Sequence, residues 1–448
     1  MNAGGQWRRS AIGLLILLSI TAVQWLHHPP EIAASGSSLQ ALIDHADPGA
    51  KIVIPSGSYT GPIRIAKTIS LIAEQDATVT VTNESEEPAI SITADDVSIV
   101  GITVNDESMK EAPSVLVEGD RVLLKGLSIA TGSDGIQLRG TQGGKVDSSS
   151  ITWGASDRTK IFQRGNGIDL FEAHAAELRG NSIVAMYDGI YMENSDDTLV
   201  AANTIRHSRY GVHCMYTKGT VVQDNIGSMN ITGAMIMSVQ EVIVERNEFA
   251  KQNENVNSQG ILLYDAHHSI LRNNITEGNR VGLYIEQSAS NTIENNEMIN
   301  NFTGLQLLSS EGNIIQHNSF IGNVNDAGAR SSSGNEIKEN FWDSFQGIDA
   351  TGDGSSDIPY AVNPFFETLV KKKPVFQLFF QSPGMVFLEG LYQSQRSDWA
   401  RDEAPLLLPL PSIADPSSGT ANGLTGILGT CMLIGAGSLL FAMRRRDR

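Results

Sequence analysis

The sequence predicts an all-β chain wound as a solenoid, one coil per repeat, and two independent markers carry that prediction. The first is a Gly-apolar-x-apolar frame: Gly167-Ile168-Asp169-Leu170, Gly189-Ile190-Tyr191-Met192, Gly211-Val212-His213-Cys214, Gly233-Ala234-Met235-Ile236, Gly260-Ile261-Leu262-Leu263, Gly282-Leu283-Tyr284-Ile285 and Gly304-Leu305-Gln306-Leu307. Its glycines stand 22 residues apart, except for a step of 27 between Gly233 and Gly260. The second is an asparagine series on the same beat: Asn181, Asn203, Asn225, Asn247, Asn274, Asn296, Asn318 and Asn340. Both series take their five extra residues at the polar insert 251–257. A fixed period of this length signals units that bury their apolar faces only by stacking. Short alternating runs of Ile, Val and Leu between Gly and Asn turns, with no helical stripe, make each unit a coil of short strands. The leucine-rich alternative lacks its L-x-x-L-x-L frame. The asparagines are expected to hydrogen-bond from coil to coil as a structural ladder.

The N-terminus carries Arg8 and Arg9 before an apolar run, residues 11–26, so residues 1–34 read as a secretory signal or an uncleaved anchor. Residues 35–362 form the solenoid, opening with a capping helix near Leu39 and a first strand before Gly57. Ten residues beyond one period between Gly135 and Gly167 predict a protruding loop carrying Trp153, Arg158, Lys160 and Arg164. The solenoid closes at 340–360. There Asp349, Thr351, Asp353, Gly354 and Asp357 match positions one, three, five, six and nine of a calcium loop, while Tyr360 replaces the bidentate Glu at twelve. A Ca²⁺ site held by Asp349, Asp353 and Asp357 and a plain acidic capping turn both fit. Residues 363–422 hold an apolar segment, 376–392, with a helix opening at Ser382-Pro383, that docks on a partner or on the end of the core. A Pro-rich linker runs from Ala404. Residues 423–443 are uncharged and long enough to span a bilayer, and 444–448 form a basic tail. Arg444, Arg445 and Arg446 orient that tail to the cytoplasm and the solenoid outside.

The net charge of −18 argues against nucleic acid as a partner. The two cysteines, Cys214 inside a coil and Cys431 in the apolar tail, do not form a mutual disulfide.

Alternation along the frame sends Val212, Cys214, Ala234 and Ile236 inward. It leaves two outward columns: Asp169, Tyr191, His213, Met235, Leu262, Tyr284, Gln306, and beside it Phe171, Glu193, Met215, Met237, Tyr264, Glu286, Leu308. His213, Met215, Met235 and Met237 then form a two-by-two patch, spaced about 4.8 Å between coils and roughly 6.6 Å along a strand. Thioethers with an imidazole suit Cu(I) better than Zn, Mg or Ca. His207 and Met229 recur at one point of successive repeats and extend the set. The competing reading is an apolar outer face covered by a loop or partner. His174, His267, His268 and His317 read as surface histidines.

A polysaccharide-binding or polysaccharide-degrading solenoid, lyase or hydrolase, is the alternative. Asp169 and Glu193 stand outward on neighbouring coils, which makes the roughly 5–9.5 Å separation that glycoside hydrolysis needs feasible. No basic residue is read in the same columns to orient a uronate or serve as a lyase base, so the chain is taken as non-enzymatic.

The stretches SDGIQL, DGIYMENSDDTLVAANTIRHSRYGVHCMY, TGAMIMSV, LLYDAHHSILRNN and NFWDSFQGIDATGDGSSDIPY resemble the NosD family, and the resemblance runs from about Leu39 to Leu407 through SPGMVFLEG and DEAPLLL. It implies an exported, single-stranded, right-handed parallel β-helix of the pectin-lyase-like type that serves nitrous oxide reductase maturation. It further implies copper received from a NosL-like lipoprotein chaperone and passed to the NosZ-like reductase. The implied helper is an ABC transporter with a NosF-like ATPase and a NosY-like membrane subunit. His213 and Met215 fall in the family's Tyr-Gly-Val-His-x-Met stretch, and Met235 and Met237 in its second apolar-Met frame. Cys214 stands where the family often has an aromatic residue, and the C-terminal span is not universal there.

Overall fold

The computed structural model describes residues 31–33, 38–252, 255, 258–379, 382–392 and 400–411. They fall into two units, Met1–Thr220 and Val221–Arg448, each a right-handed parallel β-helix. The expected leader, except for Glu31–Ala33, and the expected spans at 423–443 and 444–448 lie outside the described residues. Among the described residues no helix is long and apolar enough to cross a membrane.

In the first unit, helix Leu39–His45 caps the coils, with Ser38 Oγ accepting from the Ala41 amide. Glu31–Ala33, within the stretch read as a leader, pairs in parallel with Lys51–Val53. Three parallel sheets then rise together, one strand of each per coil. The third of them orders Ile136–Arg139, Ile168–Phe171, Asp188–Glu193 and Tyr210–Met215 side by side. Every coil repeats the same inward positions, so like stacks on like: Ile190 aligns with Val212 and Met192 with Cys214, all fully buried. The frame glycines are forced by the coil spacing. A Cβ on Gly189 would lie 2.6 Å from the Gly211 carbonyl oxygen, and one on Gly233 2.5 Å from that of Gly260. Trp153 ends the strand Ser150–Trp153 rather than riding on the protruding loop. Arg164 folds the loop back over its ring and donates to the Ala185 carbonyl at 2.7 Å.

The second unit repeats the plan from Val221–Gln223 to Phe341–Trp342. Its asparagines form the expected ladder: Asn225, Asn247, Asn274, Asn296 and Asn318 each donate a side-chain N–H to the amide oxygen of the next, ending at Asn340, at 2.9–3.0 Å. Two further ladders escaped the sequence reading, Asn279–Asn301–Asn323 and Asn291–Asn313–Asn335. The main ladder ends on a carboxylate. Asp402 Oδ2 accepts from the Asn340 amide at 3.0 Å, Asn340 Nδ2 at 3.0 Å and Trp342 Nε1 at 2.9 Å. Arg401–Asp402 pairs antiparallel with Tyr360–Ala361, and Leu406 bridges to Phe341. The chain past Ala404 is therefore part of the cap up to Leu407, not free linker: the Leu406 amide donates to the Asn340 carbonyl at 2.9 Å and the Leu407 amide to that of Gly354 at 3.1 Å.

Residues 365–392 also close this end. Helix Phe365–Lys372, absent from the sequence reading, and the expected helix Pro383–Leu391 bury Phe366, Val370 and Met385 against Phe302 and Val324. A second apolar face stays exposed: Leu378, Phe379, Phe387, Leu388 and Leu391.

Candidate metal centre

His213 sits mid-strand in Tyr210–Met215, its neighbours Val212 and Cys214 fully buried inside. Alternation turns its ring outward, yet the side chain is only 8 % exposed, so the outer face is closed here rather than open to water. Tyr191 and Tyr210 wall it edge-on, each centroid 5.0 Å away. Its Nδ1 lies 2.9 Å from Asp188 Oδ2, and Asp188 is buried in turn. Arg209 clamps that carboxylate with Nε at 2.8 Å and a terminal nitrogen at 2.6 Å, its guanidinium stacked between the Tyr187 and Tyr210 rings. Burial pushes the Asp188 carboxyl up, but hydrogen bonds from Arg209 and His213 outweigh it and hold it below the ordinary value. An ionised carboxylate only accepts, so the His213 proton belongs on Nδ1, and in the neutral ring Nε2 keeps the lone pair. That nitrogen is buried with no hydrogen-bond partner among the described residues. An orphaned buried acceptor costs about 1–3 kcal/mol. A soft metal ion is a partner that would satisfy it, with the carboxylate behind the ring raising its basicity.

The other expected ligands are placed as follows. Met215 is half-buried two residues beyond His213, aligned with Glu193, whose Oε2 already accepts from the Tyr191 hydroxyl at 2.6 Å. Met235 and Met237 share the strand Thr232–Gln240 of the second unit, Met235 buried and Met237 half-buried. His207 and Met229 are exposed turn residues with φ near +56°. The coil itself demands that turn, since Ala185, Lys251 and Asn300 adopt it too, so their backbone carries no separate functional signal. Cys214 faces the core, and burial pushes its thiol up to about 12, so it stays a packing residue. Among the described residues no three His, Cys, Asp or Glu side chains gather around one point.

The acidic loop uses its carboxylates on its own backbone. Asp349 accepts from the Gly352 and Gly354 amides, Asp353 from Ser355 and Asp357 from Ala350. That is how an acidic capping turn is built.

One reading of the outer columns needs correction. Arg139 aligns with Phe171 in the column of Glu193, so a basic residue does stand there. Its guanidinium is committed to Asp169 at 2.6 Å and to the Leu138 and Asp169 carbonyls. Burial raises the Asp169 carboxyl, against the pull of Arg139.

Sequence reasoning missed Asp188, Arg209 and Tyr210. Counting by twos from Ile190 puts Asp188 in the interior set, but at the coil corner it reaches the next coil. The signal was available: the residues before the frame glycines run Asp134, Asn166, Asp188, all polar and next to apolar strands.

Fold and site together define a non-disulfide parallel β-helix with a buried carboxylate–histidine pair on its outer face. Solved structures share the fold at 10–14% identity. They include the alginate lyase AlyF-OU02 (14% identity, TM-score 0.53, 71% of this chain and 86% of that one) and a Family 28 exopolygalacturonase of Yersinia enterocolitica (10%, 0.51, 70% and 78%). A variant of the periplasmic alginate epimerase AlgG is a third (13%, 0.50, 70% and 85%). No curated protein matches the chain. Residues 117–351 match the NosD family, described as periplasmic copper-binding protein, and the chain belongs to that family.

Proposed function

We propose that this chain is an extracytoplasmic copper carrier for nitrous oxide reductase maturation, not a catalyst. Copper is its cargo: Cu(I) arrives from a NosL-like chaperone and leaves for a NosZ-like reductase, with a NosF/NosY-type ABC transporter driving the exchange. The observation that carries the reading is the buried, unpartnered Nε2 of His213. The 22-residue beat supports Met215, Met235 and Met237 as its companion ligands, with His207 and Met229 at the approach. Thioethers are neutral, so such a site holds Cu(I) less tightly than thiolates would, which suits hand-over. The apolar stretch 423–443 followed by three arginines supports a membrane anchor. The exposed Phe387, Leu388 and Leu391 of the cap form the docking face for the membrane subunit.

Replacing Met215, Met235 and Met237 together by Leu keeps volume and apolarity, so the fold survives. The reading expects the triple variant to assemble with the transporter yet leave the reductase short of copper. Full copper loading of the reductase by that variant overturns it.

The second reading, a polysaccharide lyase or hydrolase using Asp169 and Glu193, gains from Arg139 beside them. It is weaker because Arg139 is paired with Asp169 and Glu193 with Tyr191.

A further inference from the structure

We infer that Asp188, clamped by Arg209, is a positioning residue that fixes the His213 tautomer and aims Nε2 as the copper-binding nitrogen. The inference rests on the copper reading of His213 and adds to it the group that makes the imidazole a ligand rather than a packing residue. Three features carry it. The Asp188–His213 contact is 2.9 Å between two buried side chains, so it is not a solvated surface pair. Asp188 has no rotational freedom, because Arg209 binds both its oxygens and the Tyr210 amide adds a contact at 3.3 Å. Arg209 is itself held between two tyrosine rings, at 3.8 and 4.3 Å. The rigid order is therefore tyrosine pair, guanidinium, carboxylate, imidazole, and then the ring nitrogen that has no hydrogen-bond partner among the described residues. A purely structural histidine this deeply buried would be expected to use both nitrogens.

Such outer-shell carboxylates typically change metal affinity by about 10–100-fold when lost. In Asp188→Asn, an amide N–H at the Oδ2 position faces Nδ1 as a donor and drives the ring proton to Nε2, blocking the ligand nitrogen. One Arg209 contact is lost as well, so the variant is less stable, and the wild type supplies a measurement that does not depend on it.

The experiment uses the full chain, purified in detergent and labelled with ¹⁵N-histidine, with the His213 signals assigned against His213→Gln. The expected apo state has the proton on Nδ1 and a bare Nε2, and added Cu(I) shifts Nε2 while Nδ1 stays protonated. A proton on Nε2 in the apo wild type, or copper on Nδ1, overturns the inference. Competition against a Cu(I) chelator should show Asp188→Asn binding about 10–100-fold more weakly than wild type. Unchanged affinity in a folded Asp188→Asn refutes Asp188 alone. Absence of Cu(I) binding by the wild type refutes the copper reading and the role of Asp188 with it.

Discussion

Replacing Asp402 by Ala tests the closure of the second unit most directly. Asp402 is 1 % exposed and receives three donors on one oxygen, with a fourth, the Ala404 amide, on the other at 3.1 Å. The donors do not lose equally. Asn340 Nδ2 keeps the Ile315 and Lys338 carbonyls at 2.9 and 3.0 Å, whereas the Asn340 amide and Trp342 Nε1 have Asp402 as their acceptor. Two buried donors orphaned at about 1–3 kcal/mol each give a loss of roughly 2–6 kcal/mol, reduced wherever water enters. Stacked coils contact only their neighbours, so the loss falls on the last coils and not on the whole solenoid. Amide hydrogen exchange should therefore accelerate by about 30-fold or more over 336–342 and 400–407, for a loss of at least roughly 2 kcal/mol, and stay unchanged in the first unit. Asp402→Asn, which keeps one acceptor oxygen, should fall between. Unchanged protection of Trp342 and Asn340 in Asp402→Ala would refute the reasoning.

Three other outcomes are expected. Burial raises the Asp326 carboxyl to about 6, despite hydrogen bonds from Ser344 and Tyr360. A raised folded pKa means stability present below pH 4 and lost as pH rises through 6. Wild type should thus lose up to about 3 kcal/mol relative to Asp326→Asn between pH 4 and 7, and parallel denaturation curves at both pH values would count against it. Phe387→Ser with Leu391→Ser changes exposed side chains only, so it should spare the melting temperature and abolish co-purification with the transporter's membrane subunit; undiminished recovery sinks that docking face. Protease added to spheroplasts should digest the solenoid and leave a short protected C-terminal stub, and a fully protected solenoid would reverse the proposed orientation.

The repeat was legible because each coil is specified locally. Gly189 and Gly233 mark the close approach of successive coils, and Asn247 or Asn296 the ladder, at positions a 22-residue count finds unaided. What escaped the sequence depends on contacts that no period encodes. Asp402 reaches Asn340 across 62 residues, and helix Phe365–Lys372 exists because Phe366 and Val370 have Phe302 and Val324 to cover. Around His213, alternation sent Val212 and Cys214 inward but hid Asp188, since a corner residue does not obey the strand count. It also overstated openness: an outward position on a strand is not a solvated one when tyrosines stand on either side.

The asparagine ladder also has a polarity. From Asn225 to Asn318 each side-chain amide gives one N–H to the amide oxygen of the following coil, and from Asn247 onward the other goes to a backbone carbonyl of the preceding one, so the row of amide-to-amide bonds runs in one direction. A line of that kind has no internal reason to stop, because every amide that accepts also offers a new donor to whatever comes next. Asp402 differs from asparagine by a single group, yet it takes the last N–H and passes none on. An acid in place of an amide stands where the row ends. It also leaves the end of the row without a template on which another chain's coil could dock, a safeguard against the end-to-end growth to which open β edges are prone.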